Sequence, residues 1–346
     1  MFTIRKLGLA TALTGILCLG AGLAADVQAS DAKLTVPVAT WGGPNHDNIV
    51  HFVPPLQQSL IRQSGGKIDL RHYPAGQLAE DVDMPIAIPT GKVRFGWTTV
   101  AGWSGVIPDV GIIDRPTGLS MHQMARAADM EGGIKEVLDR QFREKGATLL
   151  ALTDIGPPAL VSNKEVLKPS DLEGLRVRVY SEGSAQMARA FGAAPLQMAF
   201  ADVYTAMQRG TIDAAMMGFQ GVASQRMNEV ASHVLVPASF FGTGLMGWAA
   251  NREWWDGLAP EDREIVGTGI REAELIARYE IIRIREGLAD QYRELGMEVT
   301  ILDPSMPEFE LWQAATQPLW EQAKQDLSAD VIAPVEKVRA EGSGGG

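Results

Sequence analysis

From Lys33 onward, short apolar runs alternate with segments whose apolar residues recur at helical spacing. Lys33 to Thr40 reads as a strand, and Asp47 to Gln63 as a helix stopped near Gly65-Gly66. Lys67 to His72 alternates with period two, Leu78 to Ile88 is helical, and Arg94 to Thr98 is the next strand. The second half repeats the theme. Ala147 to Thr153, Ala159 to Ser162, Leu175 to Tyr180, Ala194 to Met198, Thr211 to Met217 and His233 to Val236 read as strands. Helices over Gly183 to Phe191, Asp202 to Gln208 and Ser224 to Val230 separate the later ones. Strand–helix–strand spacing of this kind predicts an α/β layered fold with parallel pairing.

Between Pro260 and about Leu295 the pattern becomes one long helix, with Ile265, Ile270, Ala273, Ile276, Tyr279, Ile282, Leu288, Tyr292 and Leu295 at helical spacing. At 1.5 Å of rise per residue it spans roughly 50 Å, longer than one small domain. It is therefore expected to brace two. The competing reading, a coiled-coil dimer helix, lacks a strict heptad.

The N-terminus has the layout of a secretory signal peptide. Arg5 and Lys6 precede an uncharged apolar or small stretch from Leu7 to Ala25, and Val27 and Ala29 suit cleavage after Ala29. Gly and Thr dilute that stretch relative to a membrane-spanning helix. Cys18, the only cysteine, lies inside it behind Leu17, where a lipoprotein needs a small residue. The exported chain is thus expected in the periplasm without disulfides. Its length suggests two domains. The expected division is 30–152 with about 239–278, and 153–238 with about 279–340, leaving 341–346 as a flexible tail or linker.

Charge narrows the partners. The chain has 31 basic and 42 acidic residues, net −11, and losing Arg5, Lys6 and Asp26 makes the remainder more acidic still. That balance argues against nucleic acid, which is held by Lys/Arg clusters, and against adhesion to anionic membranes.

Three stretches carry a family resemblance: Asp171-Leu-Glu-Gly-Leu-Arg-Val-Arg-Val179, Phe191-Gly-Ala-Ala-Pro-Leu-Gln-Met-Ala-Phe200 and Asp202-Val-Tyr-Thr-Ala-Met-Gln-Arg-Gly-Thr-Ile-Asp213. Tyr73-Pro-Ala-Gly-Gln-Leu78, Asn251-Arg-Glu-Trp-Trp-Asp256 and the long C-terminal helix echo it more weakly. Together they resemble the substrate-binding subunits of tripartite ATP-independent periplasmic (TRAP) transporters, dicarboxylate-binding-protein-like. The resemblance implies a two-lobed, Venus-flytrap periplasmic binding protein with a hinge, braced by the long helix. It also implies delivery of a small solute to the small and large membrane subunits of a permease. A monomer without cofactor, metal or catalysis is expected.

The residues of the central block agree. On the strand 175–179, Leu175, Val177 and Val179 share one face, and Arg176 and Arg178 the other. Ligands in open α/β sheets sit beyond the carboxyl ends of strands, which places Arg178 nearer a cleft. Arg176 reads as a solvated or bridging side chain. A guanidinium matches a carboxylate with two parallel donors, and Arg178 occupies the position of the family's ligand-carboxylate arginine. Two departures stand out. Pro158 takes the place of a second family arginine, and Met217 that of an asparagine that touches ligand. The pocket is therefore expected to be more apolar, and a dicarboxylate or sialic-acid-like ligand less suited.

Trp41, Trp97, Trp103, Phe219, Phe240 and Trp248 follow or border strands and are candidates for an aromatic wall. Asp154 and Glu182 flank the same expected cleft. Two solutes remain open: a monocarboxylate held by Arg178, or a small amine or amino alcohol such as ethanolamine held by acids and aromatics. A ligand sensor for a membrane receptor would use the same pocket.

Enzyme signals are weak. Gly242-Thr-Gly-Leu-Met-Gly247 matches GxGxxG, but a strand rather than a helix is expected to follow it. His46 and His51 are five apart, not the helical four of a zinc pair, and read as helix-start and surface residues. Val106 stands where a nucleophile elbow at Ser104 needs glycine.

Overall fold

The computed structural model describes residues 34–154 and 156–343; the expected signal peptide, with Cys18, lies outside them. Among the described residues, eleven strands form two sheets. They are β1 (Leu34–Ala39), β2 (Ile68–Tyr73), β3 (Phe95–Thr99), β4 (Ala147–Asp154), β5 (Pro158–Ser162), β6 (Arg176–Val179), β7 (Ala194–Gln197), β8 (Ala214–Gly218), β9 (His233–Val236), β10 (Leu245–Asn251) and β11 (Glu298–Ile301). The first sheet runs β2-β1-β3-β10-β4 and the second β11-β9-β5-β8-β6-β7.

Pairing is mixed rather than uniformly parallel. β1 is parallel to β2 and β3, but β10 is antiparallel to β3 and β4. In the second sheet β5 opposes β8 and β9, while β6 runs parallel with β7 and β8, and β9 with β11. Chain connectivity explains the two reversed strands. β5 and β10 follow the two short crossings between sheets, whereas β11, parallel to its neighbour, is reached through the long helix. Returning to start a parallel strand takes a crossover of a dozen or more residues, and only 155–157 separate β4 from β5. Both crossings use a glycine in the left-handed region, Gly156 at φ 78° and Gly242 at φ 83°. A Cβ on Gly156 would sit 2.4 Å from Gln220 Oε1, and one on Gly242 2.5 Å from the Ile113 carbonyl oxygen.

The long helix spans Pro260–Glu294, with Pro260 at its start, Glu261 and Asp262 in the first turn and Arg293 in the last. That placement suits the helix dipole. Its first half buries Val266, Gly269, Ile270 and Ala273 against the helix Val53–Ser64 and β4. Gly269 lets the two helices approach, since a Cβ there would meet Leu56 Cδ1 at 3.0 Å. Near its far end Tyr292 is buried, donating its hydroxyl to the Phe219 carbonyl at 2.7 Å, and the chain leads into β11 of the second sheet. One helix thus packs on both halves. The last helix, Ala329–Ser343, packs on Met121–Asp129 and Ile134–Glu144 beside the first sheet. The expected division places most of it with the second lobe. It also runs three residues into the expected tail.

Candidate functional site

A cavity of about 50 Å³ opens between the two sheets, roomy enough for a few waters. Trp41, His46, Asp81 and Asp114 line it from the first-sheet side. Arg178, Tyr180, Phe200 and Met217 line it from the second, with Pro158, Leu245 and Met246 near the crossings.

Arg178 is positioned by the alternation of β6. Val177 and Val179 enter an apolar cluster with Leu160, Met216 and Trp312, so Arg178 points to the opposite face. Its side chain is 3% exposed, and Nη2 lies 3.8 Å from Asp81 Oδ2. Nε and Nη2 donate to the Met198 carbonyl at 3.2 and 3.1 Å, and Nη1 donates to the Met216 carbonyl at 3.0 Å. A guanidinium has five N–H donors, so one on each terminal nitrogen lies outside these bonds. The Tyr180 ring faces the guanidinium at 5.7 Å. Burial pushes the Arg178 pKa down and the Asp81 charge pulls it back; an arginine nevertheless stays cationic. Arg176, on the same face, is exposed and pairs through two bonds of 2.9 and 2.8 Å with Asp213.

Two acids line the cavity from the first-sheet side, Asp81 beside this cation and Asp114 further along. Burial raises the Asp81 pKa, with Arg178 the main opposing influence, and Asp81 Oδ1 is buried without a hydrogen-bond partner. Asp114 accepts from the Ser181 hydroxyl across the sheets. Its carboxyl is pushed up to about 6 by burial, against the pull of Ser181, Arg115 and Tyr180. His46 starts the helix Asp47–Val50, accepting from the Asn48 amide. It is buried rather than a surface residue, and burial lowers its pKa to about 4. The imidazole is therefore neutral at neutral pH.

The aromatic wall is narrower than the sequence suggests. Trp41 lines the cavity, stacked on Trp97 at 4.3 Å with Phe200 edge-on at 5.2 Å. Trp97 stands behind Trp41, and Trp248 is stacked on Phe52 at 3.7 Å within the core. Phe219 is buried behind the cavity wall, edge-on to Tyr292. Trp103 donates to Thr98 Oγ1 and Phe240 packs on Phe309. Glu182 stands outside the cavity, exposed and paired with Arg189 at 2.9 Å. It opens the helix Glu182–Ala190, and a first-turn acid favours solvent and the helix dipole. Asp154 ends β4 opposite Leu245, and its side chain lies outside the described residues. Arg178, Trp41 and Met217 are thus the expected residues that the cavity gathers.

Asp81, Asp114, Tyr180 and Phe200 are lining residues that the sequence pattern did not single out, and His46, expected at the surface, lines the cavity with them. Asp81 lies just past the Tyr73–Leu78 block, and Phe200 closes a quoted one, so those two carried a positional signal. The apparent GxGxxG at 242–247 runs into β10, not a helix.

A family described as bacterial extracellular solute-binding protein, family 7, matches residues 40–326. The chain belongs to it. The C4-dicarboxylate-binding periplasmic protein DctP of Rhodobacter capsulatus is 27% identical over 342 residues, covering 92% of this chain and 98% of its own. A TRAP periplasmic solute-binding protein from Sulfurospirillum deleyianum with bound succinate has the same fold, at TM-score 0.80 and 21% identity over 89% of this chain and 99% of that one. Another from a Sulfitobacter strain, with bound β-D-galacturonate, aligns at TM-score 0.79 and 21% identity over 88% and 99%. The TRAP resemblance and the two-lobed fold with its long helix therefore stand. Pro158 and Met217 form an apolar part of this chain's cavity wall.

Proposed function

We propose that this chain captures a compact, carboxylate-bearing organic solute, by default a monocarboxylate, and delivers it to a TRAP membrane permease. The observation that carries the reading is Arg178, a buried guanidinium clamped to two backbone carbonyls with a donor on each terminal nitrogen left over. Hydrogen bonds to charged groups contribute about 1.5–3 kcal/mol each, a useful share of the roughly 8 kcal/mol of micromolar binding. Relatives named for C4-dicarboxylate, and neighbours holding succinate or galacturonate, all take carboxylates. The small cavity and the apolar Pro158 and Met217 favour a single carboxylate.

In this reading the chain is exported by its N-terminal signal and acts in the periplasm as a monomer and not as an enzyme. The halves carrying the two sheets hinge at the crossings near Gly156 and Gly242. Solute binding favours the closed form, because only differential affinity shifts such an equilibrium. The permease's small and large subunits read the closed surface. Asp81 and Asp114 give the amine alternative a footing that Glu182 does not.

Thermal stability and tryptophan fluorescence across carboxylates, amines and polyols test the proposal. The largest response is expected from a small carboxylate. Silence toward every class, with the protein shown empty by mass spectrometry, overturns it.

A further inference from the structure

Arg178 accounts for one end of a solute, and the remaining charges on the cavity wall describe the other. Asp81 and Asp114 are both buried there, Asp81 beside the guanidinium and Asp114 against Ser181 and within the pull of Arg115. An anion seated on Arg178 would compete with Asp81 for the guanidinium they share. Asp81 Oδ1 meanwhile lacks a hydrogen-bond partner, and a buried unpaired carboxylate oxygen is costly. Trp41 and Phe200 stand on the same wall, and ring faces attract cations.

From these groups we infer that the ligand is a compact zwitterion, with its carboxylate on the two remaining N–H donors of Arg178 and a protonated N–H nitrogen on Asp81 Oδ1. The inference rests on the proposed capture at Arg178 and adds the opposite pole. The two protein charges are close, with Arg178 Nη2 3.8 Å from Asp81 Oδ2. The two ligand charges must then be close as well, so the class is small α- or β-amino and imino acids. Such a ligand replaces the direct Arg178–Asp81 contact with two charge-assisted hydrogen-bonded ones. It also leaves the filled cavity no more negative than the empty one.

Matched probes separate the poles. Calorimetry on the ligand-free protein compares L-proline with cyclopentanecarboxylate and pyrrolidine, pipecolate with cyclohexanecarboxylate and piperidine, and β-alanine with propionate and ethylamine. At least one nitrogen-bearing acid is expected to bind tenfold or more tightly than both its partners. Asp81→Asn is expected to erase that margin, the nitrogen-bearing acid binding no more tightly than its plain partner. Plain acids that equal their nitrogen-bearing partners in the unaltered protein overturn the zwitterion and leave carboxylate capture intact, and so does an Asp81→Asn protein that keeps the margin. Binding by amines alone, or by none of the probes, overturns both. The comparison in the unaltered protein decides even if the variant does not fold.

Discussion

Ser181 and Asp114 meet from opposite sheets, the serine hydroxyl donating to Asp114 Oδ2. The contact is tight, since a Cβ on Gly183 would lie 2.9 Å from Asp114 Cβ. Ser181 also caps the helix Glu182–Ala190. A helix start in one half is thereby tied to a buried carboxylate in the other. Ser181→Ala removes both the cap and the bridge, and is expected to cost about 1–3 kcal/mol in chemical denaturation. Solute affinity should weaken as the closed form loses the bond.

Two buried groups near the cavity titrate in opposing senses. Asp114 has a folded pKa of about 6 against an ordinary 3.8. The folded state then binds more protons between those values, and stability falls as pH rises through them. His46 has a folded pKa of about 4 against 6.5. Here the unfolded state binds more protons, and stability falls as pH drops through that window. Each effect is on the order of 3 kcal/mol, so the pair nearly cancels. Relative to the unaltered protein, Asp114→Asn is expected to lose stability on acidification from pH 6.5 to 4. His46→Asn, which can keep the helix cap, should gain it. Denaturant melts across that range check both slopes.

Glycine is required at the first crossing between the sheets. Gly156→Ala forces a left-handed alanine against Gln220 Oε1, and is expected to destabilise by about 1–3 kcal/mol. A thermal melt reads the loss. Gly174, at φ 74° with open space around it, is the control. Its alanine variant should lose less, having backbone strain but no clash.

Surface and buried charges on neighbouring elements should behave differently. Glu182→Gln is expected to leave solute affinity within about twofold, because its partner is the exposed Arg189 and such pairs contribute little. Arg178→Met, in contrast, should lower carboxylate affinity at least a hundredfold, consistent with two lost charge-assisted bonds. Titration calorimetry on both variants gives the ratio.

Sequence periodicity located nearly every strand and the long helix, because burial on one face writes a period into the chain. It placed Arg178 for the same reason, since alternation turned an arginine away from Val177 and Val179. The acids were harder. Asp81 sits in the 3₁₀ turn Asp81–Asp83 and Asp114 at the end of Pro108–Asp114, segments with no period to read. Only their meeting with Arg178 and Ser181, 97 and 67 residues along the chain, makes them part of a site. Trp97 and Trp248 misled in the opposite direction. Strand position put both near the cleft, but Trp41 and Phe52 cover their faces.

The most direct measurement is a crystal structure of the protein with its co-purified or titrated solute. A carboxylate within about 3.2 Å of the terminal nitrogens of Arg178, enclosed between the two sheets beside Trp41, is the result predicted. A solute bound outside this cavity, or inside it with its carboxylate turned away from Arg178, contradicts the account.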